Sequence, residues 1–157
     1  MMRIITNIVA IISCISLILL GSCGEDIQLP NKILQGEIDG SEWEFAVGKA
    51  LSNQALRNFR VELFSFTGFS EDEGCLLFGG TTRHVSVVIP FSTSNGTQIN
   101  AITANLIFHI DGANTFTADN GFVEVSFINN REIRGFISAG SGSQNSVEGF
   151  FSVLICN

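Results

Sequence analysis

The sequence predicts an all-β body, and three observations carry that prediction. First, apolar residues recur at period two. Phe59, Val61 and Leu63 alternate with Asn58, Arg60 and Glu62, and Val85, Val87, Ile89 and Phe91 alternate with His84, Ser86 and Val88. Ile102, Ala104, Leu106, Phe108 and Ile110 repeat the pattern with Thr103, Asn105 and His109. Second, these runs are bounded by Gly, Asn, Asp and Ser, the residues that make tight turns. Third, no segment after the first twenty or so residues has clear helical spacing. Half-buried alternation of this kind belongs to antiparallel strands. The expected architecture is a single antiparallel β-sandwich or small β-barrel of about eight to nine strands, after an N-terminal signal helix.

The leader comes first in chain order. Arg3 supplies a positive charge, residues 4–20 supply an apolar run, and Leu20-Gly21-Ser22-Cys23 supplies small residues before a cysteine. Charge, apolar run and small-residue exit form the order of a secretory signal. The last four residues resemble the lipobox of bacterial lipoproteins. That resemblance implies cleavage before Cys23, a diacylglyceryl group on its sulfur, and cell-envelope localisation by a lipid anchor, at the outer membrane. An uncleaved membrane span is the competing reading, but residues 4–20 are short for crossing a bilayer and are interrupted by polar residues. Two or three acyl chains on one cysteine would make attachment effectively permanent, whereas one is marginal. Gly24-Glu25-Asp26 resembles a surface-export signal of Bacteroidota lipoproteins, or is an ordinary solvated linker.

The expected organisation is therefore a cleaved signal at 1–22, a lipidated cysteine and tether at 23–31, and a β domain at 32–157. Extended, residues 24–31 reach roughly 26 Å, which keeps the domain close to its membrane. Removing 22 of the 157 residues leaves 135, enough for one domain with a true core. The whole chain has 8 basic and 15 acidic residues; without Arg3 the balance is 7 to 15, a net charge of −8. Such a chain, with no basic patch, is a poor match for nucleic acid, which is bound through Lys and Arg.

Asp39-Gly40 is a two-residue hairpin turn. It sets Ile38 opposite Ser41, Gly36 opposite Trp43 and Leu34 opposite Phe45. Residues 50–58 have mixed preference and room for a short helical turn. Residues 67–74, 92–100 and 140–143 read as polar connections. A three-strand meander ends the chain, at 121–128, 132–139 and 147–156. Keeping its apolar rows together sets Phe127 against Ile133, Val125 and Phe151 against Gly135, and Ile137 against Gly149. An aromatic laid over glycine covers bare backbone. The fourteen phenylalanines read mainly as core. The Gly36, Gly40, Trp43 opening and the Gly- and Phe-rich final hairpin resemble uncharacterised small β-rich lipoproteins of Bacteroidota, a resemblance that implies no activity.

Export to an oxidising compartment, with Cys14 leaving in the leader and Cys23 lipidated, favours a disulfide between Cys75 and Cys156. Two separate buried thiols are the alternative. His84 and His109 share a face and lie directly opposite if Val85 pairs with Phe108. Two imidazoles there would suit a transition metal given a third ligand, or would be two polar residues facing solvent. Glu37, Glu42 and Glu44 share a face of the first hairpin, and Glu71-Asp72-Glu73 form a loop run. Neither has the oxygen spacing of a calcium loop, so both read as solvated acidic faces. There is no Gly-x-Ser-x-Gly, and nothing marks a cleft between paired carboxylates.

The sequence thus assigns no catalytic residue, cofactor or metal. It predicts a lipid-anchored envelope protein, not an enzyme, acting as a binding or structural module. The alternative is a lipocalin-like carrier of a small apolar ligand, with an envelope hydrolase third. The membrane is its one expected partner; a protein or small-molecule ligand stays open.

Overall fold

A computed structural model describes residues 32–78 and 82–156. The expected signal helix, the expected lipid attachment at Cys23 and the expected tether all fall on residues outside those described. Within them, eleven strands follow in order: β1 (Gln35–Ile38), β2 (Ser41–Glu44), β3 (Val47–Asn53), β4 (Asn58–Phe64), β5 (His84–Pro90), β6 (Thr97–Asn100), β7 (Ile107–Asp111), β8 (Asn114–Thr117), β9 (Asn120–Ile128), β10 (Glu132–Ser141) and β11 (Asn145–Cys156). One 3-10 helix, Glu71–Leu76, lies between β4 and β5.

All eleven strands belong to one sheet, ordered β6-β9-β10-β11-β3-β4-β5-β7-β8, with the β1–β2 hairpin attached to β11. The sheet curls into a half-barrel. The all-β expectation holds; the two-sheet sandwich gives way to one curled sheet. It is also mixed, because β11 runs parallel to β3, pairing Leu154, Ile155 and Cys156 with Lys49, Ala50 and Leu51. The other end of β11 pairs antiparallel with β1, through Ser146, Val147 and Glu148. A single long strand therefore fastens two others along the same edge.

The first hairpin has the expected register, with Gly36 opposite Trp43 and Ile38 opposite Ser41. Asp39 and Gly40 have φ of 56° and 65°, the paired left-handed conformation of a twisted two-residue turn. In the meander, Gly135 faces Val125 on one side and Phe151 on the other, as parity requires. A Cβ on Gly135 would lie 2.3 Å from the Glu124 carbonyl oxygen and under 3 Å from the Phe151 ring. Glycine is required there by close approach. The expected Phe127–Ile133 pair is not formed: a bulge between Arg134 and Gly135 slips the register, so Ile133 meets Ile128 and Arg134 meets Phe127.

Three further expectations are corrected. Alternation from Ile102 to Ile110 does not make one strand, since residues 101–105 coil instead. The Ala104 N–H donates to the Asn100 carbonyl, the Leu106 N–H to the Ala101 carbonyl, and the Asn100 side chain accepts from the Ile102 N–H. Ala101, Ala104 and Leu106 are buried and Ile102 is exposed, so what read as period two is a compact turn with helical spacing. Of the 50–58 stretch, residues 50–53 extend β3 and residue 58 begins β4, which confines the turn to 54–57, and residues 97–100 form β6 inside an expected connection.

One buried apolar cluster runs from Leu34, Ile38 and Trp43 through Val61, Val85 and Phe108 to Val123, Ile137 and Phe151. Of the phenylalanines, however, only Phe64, Phe108 and Phe151 are buried. Phe136 meets Phe150 edge-on, with ring centroids 4.9 Å apart, and Phe122 lies 6.0 Å from Phe136. These three rings are half-buried on adjacent strands β9, β10 and β11.

Candidate functional site

The alternation that sends Val61, Leu63, Val85 and Phe108 into the core sends their neighbours to the opposite face of β3, β4, β5 and β7. Register lines them up in two rows: Lys49, Glu62 and Ser86 in one, Phe64, His84 and His109 in the other. An outward row would ordinarily be wet. Here Lys49, Glu62, His84 and Ser86 are all buried, and so is Phe64.

Burying charge is costly unless it is paired. Glu62 answers this with two cations: Lys49 Nζ lies 3.5 Å from one carboxylate oxygen and Arg60 Nε 3.0 Å from the other. Lys49 also donates to the Leu77 carbonyl oxygen. Among the described residues, no buried side-chain nitrogen or oxygen lacks a hydrogen-bond partner.

His84 and His109 stand directly opposite each other, and their rings stack at 4.0 Å with planes 4° apart. Phe64 packs against His84 at 5.1 Å. His84 Nδ1 is 2.9 Å from the Thr82 carbonyl oxygen, and His109 Nε2 is 2.8 Å from Ser86 Oγ. Burial pushes the His84 imidazole below its ordinary range, outweighing the Thr82 carbonyl and the Glu62 carboxylate, which favour its charge. Burial and then the charge of His84 push His109 down to about 4. Both rings are therefore neutral near pH 7.

This geometry limits the chemistry. Parallel stacked imidazoles hold their in-plane lone pairs in separate planes, so the nitrogens do not converge on a point. Among the described residues no group of three His, Cys, Asp or Glu is arranged to hold a metal. Ser86 and His109 are a hydroxyl and a base in contact. Yet Ser86 is buried in a strand paired on both sides, so nearby backbone N–H groups serve the ladders and do not point at a reacting oxygen.

Residues 65–78 border this cluster and form a strap fastened at several points. Cys75 is joined to Cys156 of β11, with Cα atoms 5.6 Å apart, which realises the expected disulfide. Gly74 packs so tightly on β3 that a Cβ there would lie 2.3 Å from the Gly48 carbonyl oxygen. Lys49 holds the Leu77 carbonyl from below and lies 5.2 Å from the Phe78 ring centre. Phe66 stacks on Phe64 at 5.5 Å. Glu73 accepts hydrogen bonds from the Ser70 N–H and hydroxyl, and the backbone bond lowers its carboxyl below the usual range. Glu73 thus caps the 3-10 helix, and only Glu71 and Asp72 of the acidic run are left free of that task. Phe69, Leu76 and Phe78 are exposed at 48%, 74% and 85%. The sequence did not single these three out: Phe69 lies inside residues 67–74, which read as a polar connection, and Leu76 and Phe78 lie just beyond it.

The first-hairpin carboxylates sit elsewhere. Glu37 is opposite Glu42 as expected, while Glu44 faces Gln35. They line an open cleft of about 660 Å³ with Lys32, Trp43 and Ser146. Comparison with protein-family models, with curated proteins and with solved structures found no match.

Proposed function

We propose that the protein is a lipid-anchored module of the bacterial cell envelope, held at the outer membrane through Cys23, whose β body binds a partner without catalysis. The observation that carries this reading is Leu20-Gly21-Ser22-Cys23 after one positive charge and an apolar run. The body adds support of a different kind. Its strands share one continuous buried apolar cluster, which favours a ligand at the surface over a small molecule enclosed as in a lipocalin. The stacked histidines and the Ser86 contact are spent on each other, which favours binding over hydrolysis.

Radiolabelled palmitate tests the anchor. The expected result is label on the wild-type protein and none on Cys23→Ala; an unlabelled wild type, or label that persists in the variant, sinks the proposal. Protease shaving of intact cells then distinguishes a surface-exposed body from a periplasmic one.

A further inference from the structure

Seven large apolar side chains are exposed among the described residues, and three of them, Phe69, Leu76 and Phe78, fall on the strap. Ile33, Leu56, Ile102 and Phe116 lie on separate segments. Apolar residues exposed singly are ordinary, so the fall of three on one short segment is what singles the strap out. The strap is also held more firmly than a connection requires, by the Cys75–Cys156 bond, the Gly74–Gly48 contact, the Lys49–Leu77 hydrogen bond and the Glu73 cap. None of these fastenings buries the three apolar side chains. Holding them in place beforehand lowers the ordering cost of an encounter, and large apolar anchors on a rigid support are what interface centres are built from.

Charge selects the occupant. Glu71 and Asp72 are exposed in the same short helix as Leu76, so the apolar display has an acidic flank. A second copy of this chain would bring like charge, with 15 acidic residues against 8 basic. An anionic lipid surface would be repelled in the same way. We propose that residues 65–78 dock into an apolar pocket edged by Lys or Arg on another protein. This rests on the binding-module reading and names its contact surface.

The test places the photo-crosslinking residue benzoylphenylalanine at Phe78 in the full chain, in cells that make the protein. The control position is Leu56, which is 70% exposed in the turn between β3 and β4. The expected result is a protein adduct about ten-fold stronger from 78 than from 56, mapping to apolar residues with Lys or Arg beside them. The double variant Glu71→Lys with Asp72→Lys should lower that yield about five-fold with an unchanged urea midpoint. Equal yields from 78 and 56, an adduct to lipid or to a second copy, or a yield indifferent to charge reversal overturns the docking proposal. Palmitate labelling in the same cells keeps the readings apart: labelled protein without the adduct sinks docking alone, and unlabelled protein sinks the anchor.

Discussion

Two imidazoles stacked at 4.0 Å in a buried row tie the stability of the domain to pH. Both have folded-state pKa values below the ordinary 6.5, His109 at about 4. Between these values the unfolded chain binds protons that the folded one refuses, so stability rises with pH across that window. It is fully present above pH 6.5, falls as pH drops toward 4, and levels off below. With solvent screening at half-buried His109 allowed for, the shift of that residue should account for about 2 kcal/mol of the fall. Urea midpoints measured from pH 7 to pH 4 should fall accordingly, and His109→Gln should flatten the dependence. Parity made the opposition of His84 and His109 legible in the sequence, through Val85 meeting Phe108. The stacking was not legible, because ring orientation is decided by Phe64, Ser86 and the Thr82 carbonyl, which only the folded chain brings together.

At the level of elements, the strap depends on a bond spanning 81 residues. Closing so long a loop restricts the unfolded chain, and Cys75→Ser with Cys156→Ser should cost about 2–4 kcal/mol in urea unfolding. The same variant should be cut by protease first within residues 65–78, before any strand, because only non-covalent contacts, at Phe66, Gly74, Leu77 and Phe78, then hold the strap. The expectation of export, together with cysteine parity, made the bridge readable. The strap's course was hidden, since no periodicity marks a segment that is fastened by a disulfide, a buried lysine and a cap. Residues 101–105 misled for the opposite reason: a three-residue recurrence of Ala101 and Ala104 overlaps a two-residue one through Ala104, Leu106 and Phe108, and only the hydrogen bonds of Asn100 decide between them.

Across the whole molecule, the single core joins the β1–β2 hairpin, the β3–β5 strands and the final meander. Phe151 stands at this junction, 3% exposed, with its ring against Gly135. Phe151→Ala should destabilise the domain by about 3–5 kcal/mol, and unfolding followed by Trp43 fluorescence and by circular dichroism should stay coincident. An all-strand body was evident from alternation, because one buried face imposes period two wherever a strand is half-covered. Its closure was not. Whether strands curl as one sheet or face each other as two depends on which distant edges meet, and the parallel seam of β11 with β3 leaves no local mark.

That seam has a consequence for the order in which the sheet is completed. β11 supplies neighbours to β10, β1 and β3 at once, so the middle of the sheet stays vacant until residues 145–156 have been delivered. The block β3-β4-β5-β7-β8 and the block β6-β9-β10 can each pair within themselves, but only the last twelve residues of the described chain weld them into one sheet.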